Sequence, residues 1–271
     1  MKKLAAVIID TYPNKHLAVV AIHMALRLPN IGKIYTFSDE PFFDGAEFIE
    51  VPKLSSNNDY GTIIFNMLPK HVSEEHFFII QWDGFPILPE NWNDEFLKYD
   101  YIGAPLGGWV GNGGFSLRSQ KLLQAINTLG IGIDPSNPDD QPEDAIICTK
   151  FRSLLESQGI QFAPLEVAEN FSFQAGAIKP DILGFHSADN LPFFIPESEL
   201  VKVADQIIER IPQPLMMLRY LQVCIQEGYH QLFSTSVRNY KTKLNLMKAI
   251  DFELKQNPSS PLKGLIEKIN L

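Results

Sequence analysis

Short apolar runs alternate with segments of helical spacing along most of the chain. The run LAAVIID, from Leu4, predicts a buried strand, and apolar positions between Leu17 and Leu28 recur as on one face of a helix. KIYTF, FIEV and FFIIQ predict three more strands, and a short helix is predicted from Tyr60 to Leu68, before Pro69. FFIIQ is apolar at consecutive positions, as in strands covered on both faces. Strands alternating with helices predict an α/β fold with a mostly parallel sheet flanked by helices.

The pattern continues with one more strand and two helices. GFSL after Gly113 predicts a strand, and Ser119 is a suitable N-cap for a helix that Gly130 ends. A turn-rich loop then leads to a helix predicted to start at Pro142. FAPLEVA and FSF are predicted to be short strands or extended segments.

The texture of the chain changes near Pro196. Three segments separated by Pro, Gly and Ser have helical spacing: Glu197–Ile211, Pro214–Gln226 and Lys241–Gln256. We therefore expect an α/β domain over residues 1–195 and a C-terminal helical extension over residues 196–271. No repeat or long linker separates the two, so we expect the extension to pack on the α/β core.

Composition and charge exclude several classes of protein. With 271 residues and 45% hydrophobic residues the chain can bury a sizeable core, and its net charge of −9 argues against a nucleic-acid partner. The two cysteines, Cys148 and Cys224, lack the spacing of a zinc site and are unlike a disulfide framework. No apolar stretch approaches the roughly 20 residues of a membrane span, so we expect no transmembrane segment and a cytoplasmic location.

Two early motifs carry candidate chemistry. In QWDGF, Asp83 follows the end of a buried strand, where open α/β sheets present ligands, and it could hold a divalent metal. Asp-Gly is also a common turn pair. In GNGGFSLRS, the glycines around Asn112 let the backbone approach a ligand, so Asn112, Gly113 and Gly114 are candidate binding residues. The same segment is explained equally well as a structural turn, and it matches neither a dinucleotide fingerprint nor a P-loop.

Two later motifs supply acids and an imidazole. Glu143 and Asp144 of PED could serve an acceptor hydroxyl, with Asp144 as general base and Glu143 holding the acceptor. Acidic residues at a helix start are otherwise ordinary. His186 of GFH could be a second metal ligand or a structural hydrogen bonder.

In this order the four motifs resemble the core of GT-A glycosyltransferases. The resemblance implies a Rossmann-like sheet, metal at Asp83 and His186, acceptor and sugar contacts at Gly113 and Gly114, and a base at Asp144. A closer resemblance links HFFIIQWDGF, YDYIGAP, VGNGGFSLRS, PEDAIIC, FAP and VAENFSF to a family of proposed glycosyltransferases catalogued as a domain of unknown function. It covers about Leu4 to Pro192, and the helices after Pro196 lie outside it.

One departure from the GT-A pattern concerns the metal motif. The usual Asp-x-Asp is replaced by Gln81-Trp82-Asp83, so only the last acid is kept. The resemblance implies Mn²⁺ or Mg²⁺ at Asp83, while weak or absent metal dependence stays open. Gln81 could contact ribose or a metal-bound water. Trp82 and above all Trp109 could stack on sugar rings, although packing in a core is the commoner fate of Trp.

Fold analogy adds a last group of candidates at the ends of the first two strands. Asp10 and Thr11, in the loop from Asp10 to Lys15, and Ser38 and Asp39 after the second strand are expected to hold the base and ribose of a nucleotide.

Together these features predict a metal-dependent glycosyltransferase of the hexosyltransferase type. It would move a sugar from a nucleotide-diphosphate donor, with a UDP-sugar favoured, to a hydroxyl of a glycan, as in polysaccharide biosynthesis. Two alternatives stay open: a non-catalytic GT-A-like module that binds a glycan or partner, and a metal-dependent nucleotidyltransferase that would release pyrophosphate. The C-terminal helices are a candidate surface for an oligomer or partner.

Overall fold

The computed structural model describes residues 4–106, 108–137, 139–211, 213–240 and 243–256. The chain divides into two compact units, Met1–His186 and Ser187–Leu271. The functional boundary predicted between residues 195 and 196 lies inside the second unit and stays a prediction.

A six-stranded sheet forms the centre of the first unit, in the order β3-β2-β1-β4-β7-β6, and β5, β9 and β8 form a second, small sheet. The strands are β1 (Leu4–Ile9), β2 (Ile31–Ser38), β3 (Glu47–Glu50), β4 (His76–Ile80), β5 (Gly84–Pro86), β6 (Tyr101–Leu106), β7 (Trp109–Ser119), β8 (Ser172–Phe173) and β9 (Gly184–His186). Within the large sheet only β7 runs against its neighbours. The α/β class and the mostly parallel sheet predicted from the sequence are confirmed.

Burial on both faces explains the continuous apolar runs of the central strands. Every residue of β1 and β4 is buried, and the two strands pair in parallel, with Val7 opposite Ile79. Strands in this position need apolar side chains on both faces, because helices cover the sheet from each side. This packing places the carboxyl ends of β1, β2 and β4 at one edge of the sheet.

The first unit contains seven α-helices among its described residues: α1 (His16–Ala25), α2 (Asn57–Asn66), α3 (Leu68–His71), α4 (Gln120–Thr128), α5 (Glu143–Ala145), α6 (Arg152–Ser157) and α7 (Leu165–Phe171). The predicted cap is present, since Ser119 Oγ accepts from the backbone N–H of Leu122 at 3.0 Å. The helix predicted from Tyr60 begins earlier, because Ser56 accepts from Asp59 N–H and caps α2.

Two predicted elements differ from the observed ones. The glycine segment is not a loop: it lies within β7, which pairs with β6 through two register shifts. FAPLEVA is not extended throughout, because Pro164 precedes α7 and its carbonyl accepts from the N–H groups of Val167 and Ala168. The helix predicted at Pro142 starts with the single turn α5 and continues as a π-helix over Ile146–Lys150.

The described residues of the second unit form helices and no strand. The α-helices are α8 (Leu191–Phe194), α9 (Glu197–Leu200), α10 (Ala204–Arg210), α11 (Pro214–Gln226), α12 (His230–Asn239) and α13 (Lys243–Gln256). The helix predicted over Glu197–Ile211 is interrupted by a 3₁₀ turn, Val201–Val203. The predicted start of the last helix at Lys241 lies outside the described residues. Within the described ranges, no helix has both the length and the apolar character needed to cross a bilayer.

Candidate active site

A tight turn places Asp83 at the end of a buried strand. Gln81 and Gly84 exchange two backbone hydrogen bonds, of 2.8 and 3.0 Å, so Trp82 and Asp83 form a two-residue turn between β4 and β5. Asp83 is only 7% exposed. The turn that makes Asp-Gly a common pair therefore also holds this carboxylate at the ligand-binding edge of the sheet.

Strand pairing brings His186 to the same turn. In the small sheet, β5 runs antiparallel to β9, and Gly84 lies opposite His186. His186 Nε2 is 4.0 Å from Asp83 Oδ1. That separation lies within the span of two ligands of one ion, each at about 2.1 Å from it.

Two amide side chains orient the His186 ring. Gln174 Oε1 accepts from Asn112 Nδ2 at 3.1 Å and lies 3.0 Å from His186 Nδ1. An amide oxygen can accept two hydrogen bonds, so this arrangement favours a proton on Nδ1 and a lone pair on Nε2. Nε2 in turn lies 3.1 Å from Gln81 Oε1, which is also an acceptor and so cannot donate to a lone pair on Nε2. An imidazole with Nδ1–H held by a neighbour is the usual arrangement of a metal ligand.

The glycines of β7 leave the space that these side chains occupy. A Cβ at Gly114 would lie 2.0 Å from His186 Nε2, and one at Gly113 would lie 2.6 Å from Glu143 Oε1. Non-bonded carbon contacts are normally near 3.5–4.0 Å. The absence of a side chain at both positions therefore lets the imidazole and the carboxylate pack directly on the strand.

The two acids of PED have different surroundings. Asp144 is half-buried and accepts two backbone N–H groups, from Gly113 at 3.0 Å and from Ala145 at 2.8 Å. Glu143 is 5% exposed, and its Oε1 accepts from Arg118 Nη2 at 2.7 Å. Asp144 is thus a carboxylate fixed by backbone groups with lone pairs left over, whereas Glu143 is half of a buried ion pair.

Arg118 links the acid pair to the glycine segment. It is fully buried in β7, donates through Nε to Ser116 Oγ at 3.0 Å, and lies 5.0 Å from the Tyr101 ring centre. Burial alone would lower the pKa of Arg118, but Glu143 raises it above its ordinary value. Burial raises the pKa of Glu143, while Arg118 opposes that rise. A permanent cation at 2.7 Å favours the ionised carboxylate.

Six of the predicted residues line one cavity of about 320 Å³. They are Gln81, Gly113, Gly114, Glu143, Asp144 and His186. The remaining wall consists of Leu54, Ser56, Asn57, Tyr60 and Pro142. Asp83 and Asn112 are not part of the lining. Asp83 lies 4.0 Å from His186, and Asn112 donates to Gln174, which contacts His186.

The four nucleotide-binding candidates at the ends of β1 and β2 lie outside this lining: Asp10, Thr11, Ser38 and Asp39. Lys15 Nζ donates to Asp39 Oδ1 at 2.7 Å, and that hydrogen bond holds the pKa of Asp39 below its ordinary value. Thr11 Oγ1 accepts from Leu54 N–H at 2.9 Å and so fixes part of the cavity wall. A nucleotide role for these four residues stays a prediction.

The two tryptophans proposed to stack on sugars also lie outside the lining. Trp82 is half-buried in the turn after β4. The Trp109 ring folds over Gly111, where a Cβ would meet it at 1.8 Å, and it packs against a hydrophobic cluster that includes Cys148. Trp109 therefore packs in a core, which is the commoner fate of Trp.

The donor set fits a divalent cation that also binds a ligand. Asp83 and His186 offer one carboxylate oxygen and one imidazole nitrogen, which suit Mn²⁺. In the described part of the chain, no three His, Cys, Asp or Glu residues form a group able to hold a metal on their own. Mg²⁺ and similar ions are commonly held by one or two carboxylates together with substrate phosphates.

Sequence reasoning missed four residues that shape this region: Lys15, Tyr60, Arg118 and Gln174. Only Arg118 left a signal, because an arginine between apolar residues of a predicted strand requires a buried partner. The contacts of the other three depend on which elements are neighbours in space.

A model of one protein family matches residues 49–186, just over half of the chain; the family is described as a protein of unknown function (DUF5672). No curated protein matches the chain.

Several solved structures have a similar path of the chain. A mannosyltransferase from Pyrobaculum calidifontis, in complex with GDP-Man and Mn²⁺, has a TM-score of 0.45 and 9% identity, and the match covers 98% of this chain and 79% of that one. Glucosyl-3-phosphoglycerate synthase from Mycobacterium tuberculosis, in complex with Mn²⁺ and UDP, has a TM-score of 0.40 and 12% identity, covering 60% and 70%. The glycosyltransferase GlyE of Streptococcus pneumoniae has a TM-score of 0.40 and 16% identity, covering 61% and 46%. Likenesses this distant assign neither an activity nor a metal to this chain.

Proposed function

We propose a function for this chain as a member of the protein family of unknown function (DUF5672), to which it belongs. We infer that it is a metal-assisted glycosyltransferase that moves a sugar from a nucleotide-diphosphate sugar, preferably a UDP-sugar, to a hydroxyl of a glycan. The observation that carries this inference is the convergence of four separate motifs on one cavity. Gln81, Gly114, Asp144 and His186 each come from a different motif and all line it.

Asp144 is suited to be the general base. Its two oxygens each accept one backbone N–H, and each keeps a lone pair that can take a proton. In the proposed reaction an acceptor hydroxyl gives its proton to Asp144 while its oxygen bonds to the anomeric carbon. The bond from that carbon to the diphosphate oxygen breaks, and the nucleoside diphosphate leaves with the electron pair. Direct attack of this kind inverts the anomeric centre.

Asp83 and His186 are the residues that would hold Mn²⁺ or Mg²⁺. When bound, such an ion neutralises negative charge on a diphosphate leaving group. The contribution of the chain is orientation, because Gln174 holds Nδ1 of His186 and turns Nε2 toward Gln81, which a bound metal ion would displace. Asp144 lies on α5, whereas Asp83 lies in the turn between β4 and β5 and His186 on β9, so the base and the metal ligands come from different elements.

A non-catalytic GT-A-like binding module is the second candidate. It is favoured by Gln81, which stands where the first acid of the metal motif is expected and occupies Nε2 of His186. Four further expectations remain proposals: the nucleotidyltransferase alternative, the cytoplasmic location, the polysaccharide role and partner contacts through the C-terminal helices.

The test is a thermal-shift screen of the chain against UDP, GDP, CMP and their common sugar conjugates, each with and without Mn²⁺. A ligand at 100 times its Kd should stabilise the chain by about 2.7 kcal/mol. We expect the shift with one nucleotide to require metal, to vanish in Asp83→Ala and to persist in Asp44→Ala, which changes an exposed turn residue. No shift with any nucleotide would favour the binding module.

Product analysis then separates the two enzymes. A glycosyltransferase releases nucleoside diphosphate, and a nucleotidyltransferase releases pyrophosphate. Asp144→Asn should retain nucleotide binding and lose transfer. Undiminished transfer by that variant would show that Asp144 is not the base.

A further inference from the structure

Two oxygens on the cavity side of the site have no hydrogen-bond partner within 3.5 Å among the described residues. They are the Tyr60 hydroxyl, on α2, and Glu143 Oε2, on α5. Both atoms are buried, and Tyr60 and Glu143 both line the cavity. A buried polar atom without a partner destabilises a fold by about 1–3 kcal/mol. Packing alone gives no reason to retain two of them in one cavity.

The two oxygens belong to neighbouring parts of the structure. Gly61 follows Tyr60 on α2, and a Cβ at Gly61 would lie 3.5 Å from Glu143 Cβ. The charge of Glu143 is one of the influences that raise the pKa of Tyr60, after burial, so the two side chains act on each other through space. Gln81 has a hydrogen-bonding influence that lowers the pKa of Tyr60, although the two side chains do not meet hydrogen-bond geometry.

The chemistry of the two groups restricts what can bind between them. A phenol donates one hydrogen bond, and a carboxylate only accepts. Arg118 favours the ionised form of Glu143 by its charge at 2.7 Å. A hydroxyl can accept from Tyr60 and donate to Glu143 at once. The diphosphate of a nucleotide sugar has no proton to donate at neutral pH and is repelled by Glu143, and an ammonium group cannot accept from Tyr60.

We propose that Tyr60 and Glu143 form a hydroxyl-binding subsite for a sugar at the acidic end of the cavity. The subsite rests on the proposed glycosyltransferase function, and the hydroxyl belongs either to the transferred sugar or to the acceptor. Neighbouring side chains cover both oxygens, so a ligand reaches them after a local rearrangement.

The first test compares Tyr60→Phe with Tyr35→Phe. Tyr35 is fully buried in β2, and its hydroxyl donates to Glu74 Oε2 at 3.0 Å. Removal of a bonded hydroxyl should lower the Tm, whereas removal of an unpartnered one should leave the Tm unchanged or raise it. A lower Tm for Tyr60→Phe than for Tyr35→Phe would show that the Tyr60 hydroxyl already has a partner, and would overturn the proposal.

The second test measures binding by titration calorimetry in the presence of Mn²⁺. The donor arm compares UDP-glucose with UDP and GDP-mannose with GDP. The acceptor arm uses methyl α-glucoside and methyl α-mannoside with the nucleotide present. We expect Tyr60→Phe to weaken sugar binding about tenfold in one arm, the loss of one hydrogen bond to a ligand, while UDP and GDP bind as before. The arm that changes identifies the source of the hydroxyl, and Tyr35→Phe should change neither.

The outcomes separate the subsite from the proposed function. Equal binding of every sugar probe by wild type and Tyr60→Phe would overturn the subsite and leave the glycosyltransferase proposal standing. Binding of a methyl glycoside that is lost in Tyr60→Phe, by a chain that binds no nucleotide or nucleotide sugar, would support the subsite and refute the transferase. A wild-type chain that binds none of the probes would overturn both.

Discussion

Gly114→Ala is the substitution that most directly tests how the site is held together. A Cβ at Gly114 would lie 2.0 Å from Nε2 and 2.2 Å from Cδ2 of His186. β7 is paired with β4 on one side and β6 on the other, so the strand cannot move away from an overlap of this size. The ring must therefore leave its position between Gln81 and Gln174.

The expected cost follows from the contacts that the ring gives up. A neutral imidazole has one N–H, so the contact of 3.0 Å with Gln174 Oε1 counts as one hydrogen bond of about 1 kcal/mol, and the contact of 3.1 Å with Gln81 Oε1 adds none. Crowding of a packed region adds about 1–3 kcal/mol. The smaller entropy of unfolded alanine offsets about 0.4–1 kcal/mol. We expect Gly114→Ala to lower the free energy of unfolding by about 1–4 kcal/mol.

The assay is urea unfolding, with Gly132→Ala as the matched control. A Cβ at Gly132 meets nothing within 4 Å, and its φ is not in the left-handed region, so this variant should stay within about 0.5 kcal/mol of wild type. Gly114→Ala should also lose the metal-dependent nucleotide shift. Equal stability of the two variants would refute the packing of His186 against Gly114.

Three further predictions test other parts of the chain. Ser187 has φ of 90°, a region that favours glycine, so Ser187→Gly should be more stable than Ser187→Ala by about 1–2 kcal/mol in chemical unfolding; equal stabilities would argue against strain there. Lys15 lowers the pKa of Asp39, so the ionised carboxylate stabilises the fold above its ordinary pKa of 3.8, and this stability is lost as the pH falls through the lower folded value. On acidification below about pH 4, the free energy of unfolding of Asp39→Asn should therefore fall less than that of wild type. Parallel profiles of the two proteins would contradict this. Arg118→Met leaves Glu143 buried without its cation and should cost about 3–5 kcal/mol, part of which Glu143→Gln should restore in the double variant; a loss below about 1 kcal/mol would contradict a structural ion pair.

The central strands were predictable because their burial is visible in the sequence. FFIIQ and LAAVIID are apolar at successive positions, and β4 and β1 are indeed buried throughout. Periodicity and capping chemistry are local properties, so Ser119 could be recognised as an N-cap from its neighbours alone. The parts that depend on short-range pattern were therefore accessible without coordinates.

The secondary structure of the glycine segment could not be predicted in this way, because it depends on distant parts of the chain. Glycine disfavours strands, yet Gly113 and Gly114 lie within β7, in the irregular stretch between Asn112, paired with Ala104 of β6, and Ser116, paired with Gly103 of β6 and Ile79 of β4. Pairing between strands is a long-range interaction that overrides local propensity. α12 was also missed, although its buried residues Leu232, Phe233, Ser236 and Val237 recur with helical spacing.

The candidate site was predictable in its order but not in its contacts. The four motifs could be recognised along the chain, and six of the predicted residues line one cavity. The relay from Asn112 through Gln174 to His186 depends on the register of β8, β9 and β5, which the sequence does not reveal. Tyr60 meets the acid pair only because α2 packs beside α5.

Packing gives a reason for the motifs to occur together that is independent of catalysis. His186 lies between two glycines, since a Cβ at Gly84 would be 2.8 Å from its Cδ2 and one at Gly114 would overlap its ring. A histidine in GFH therefore requires glycine in both QWDGF and GNGG, whatever the site binds. Such packing explains filled space, but it does not explain why the Tyr60 hydroxyl and Glu143 Oε2 are buried without partners. A purely structural account leaves those two oxygens unexplained, as it does Arg118 Nη1 beside them, and a bound hydroxyl would satisfy both oxygens.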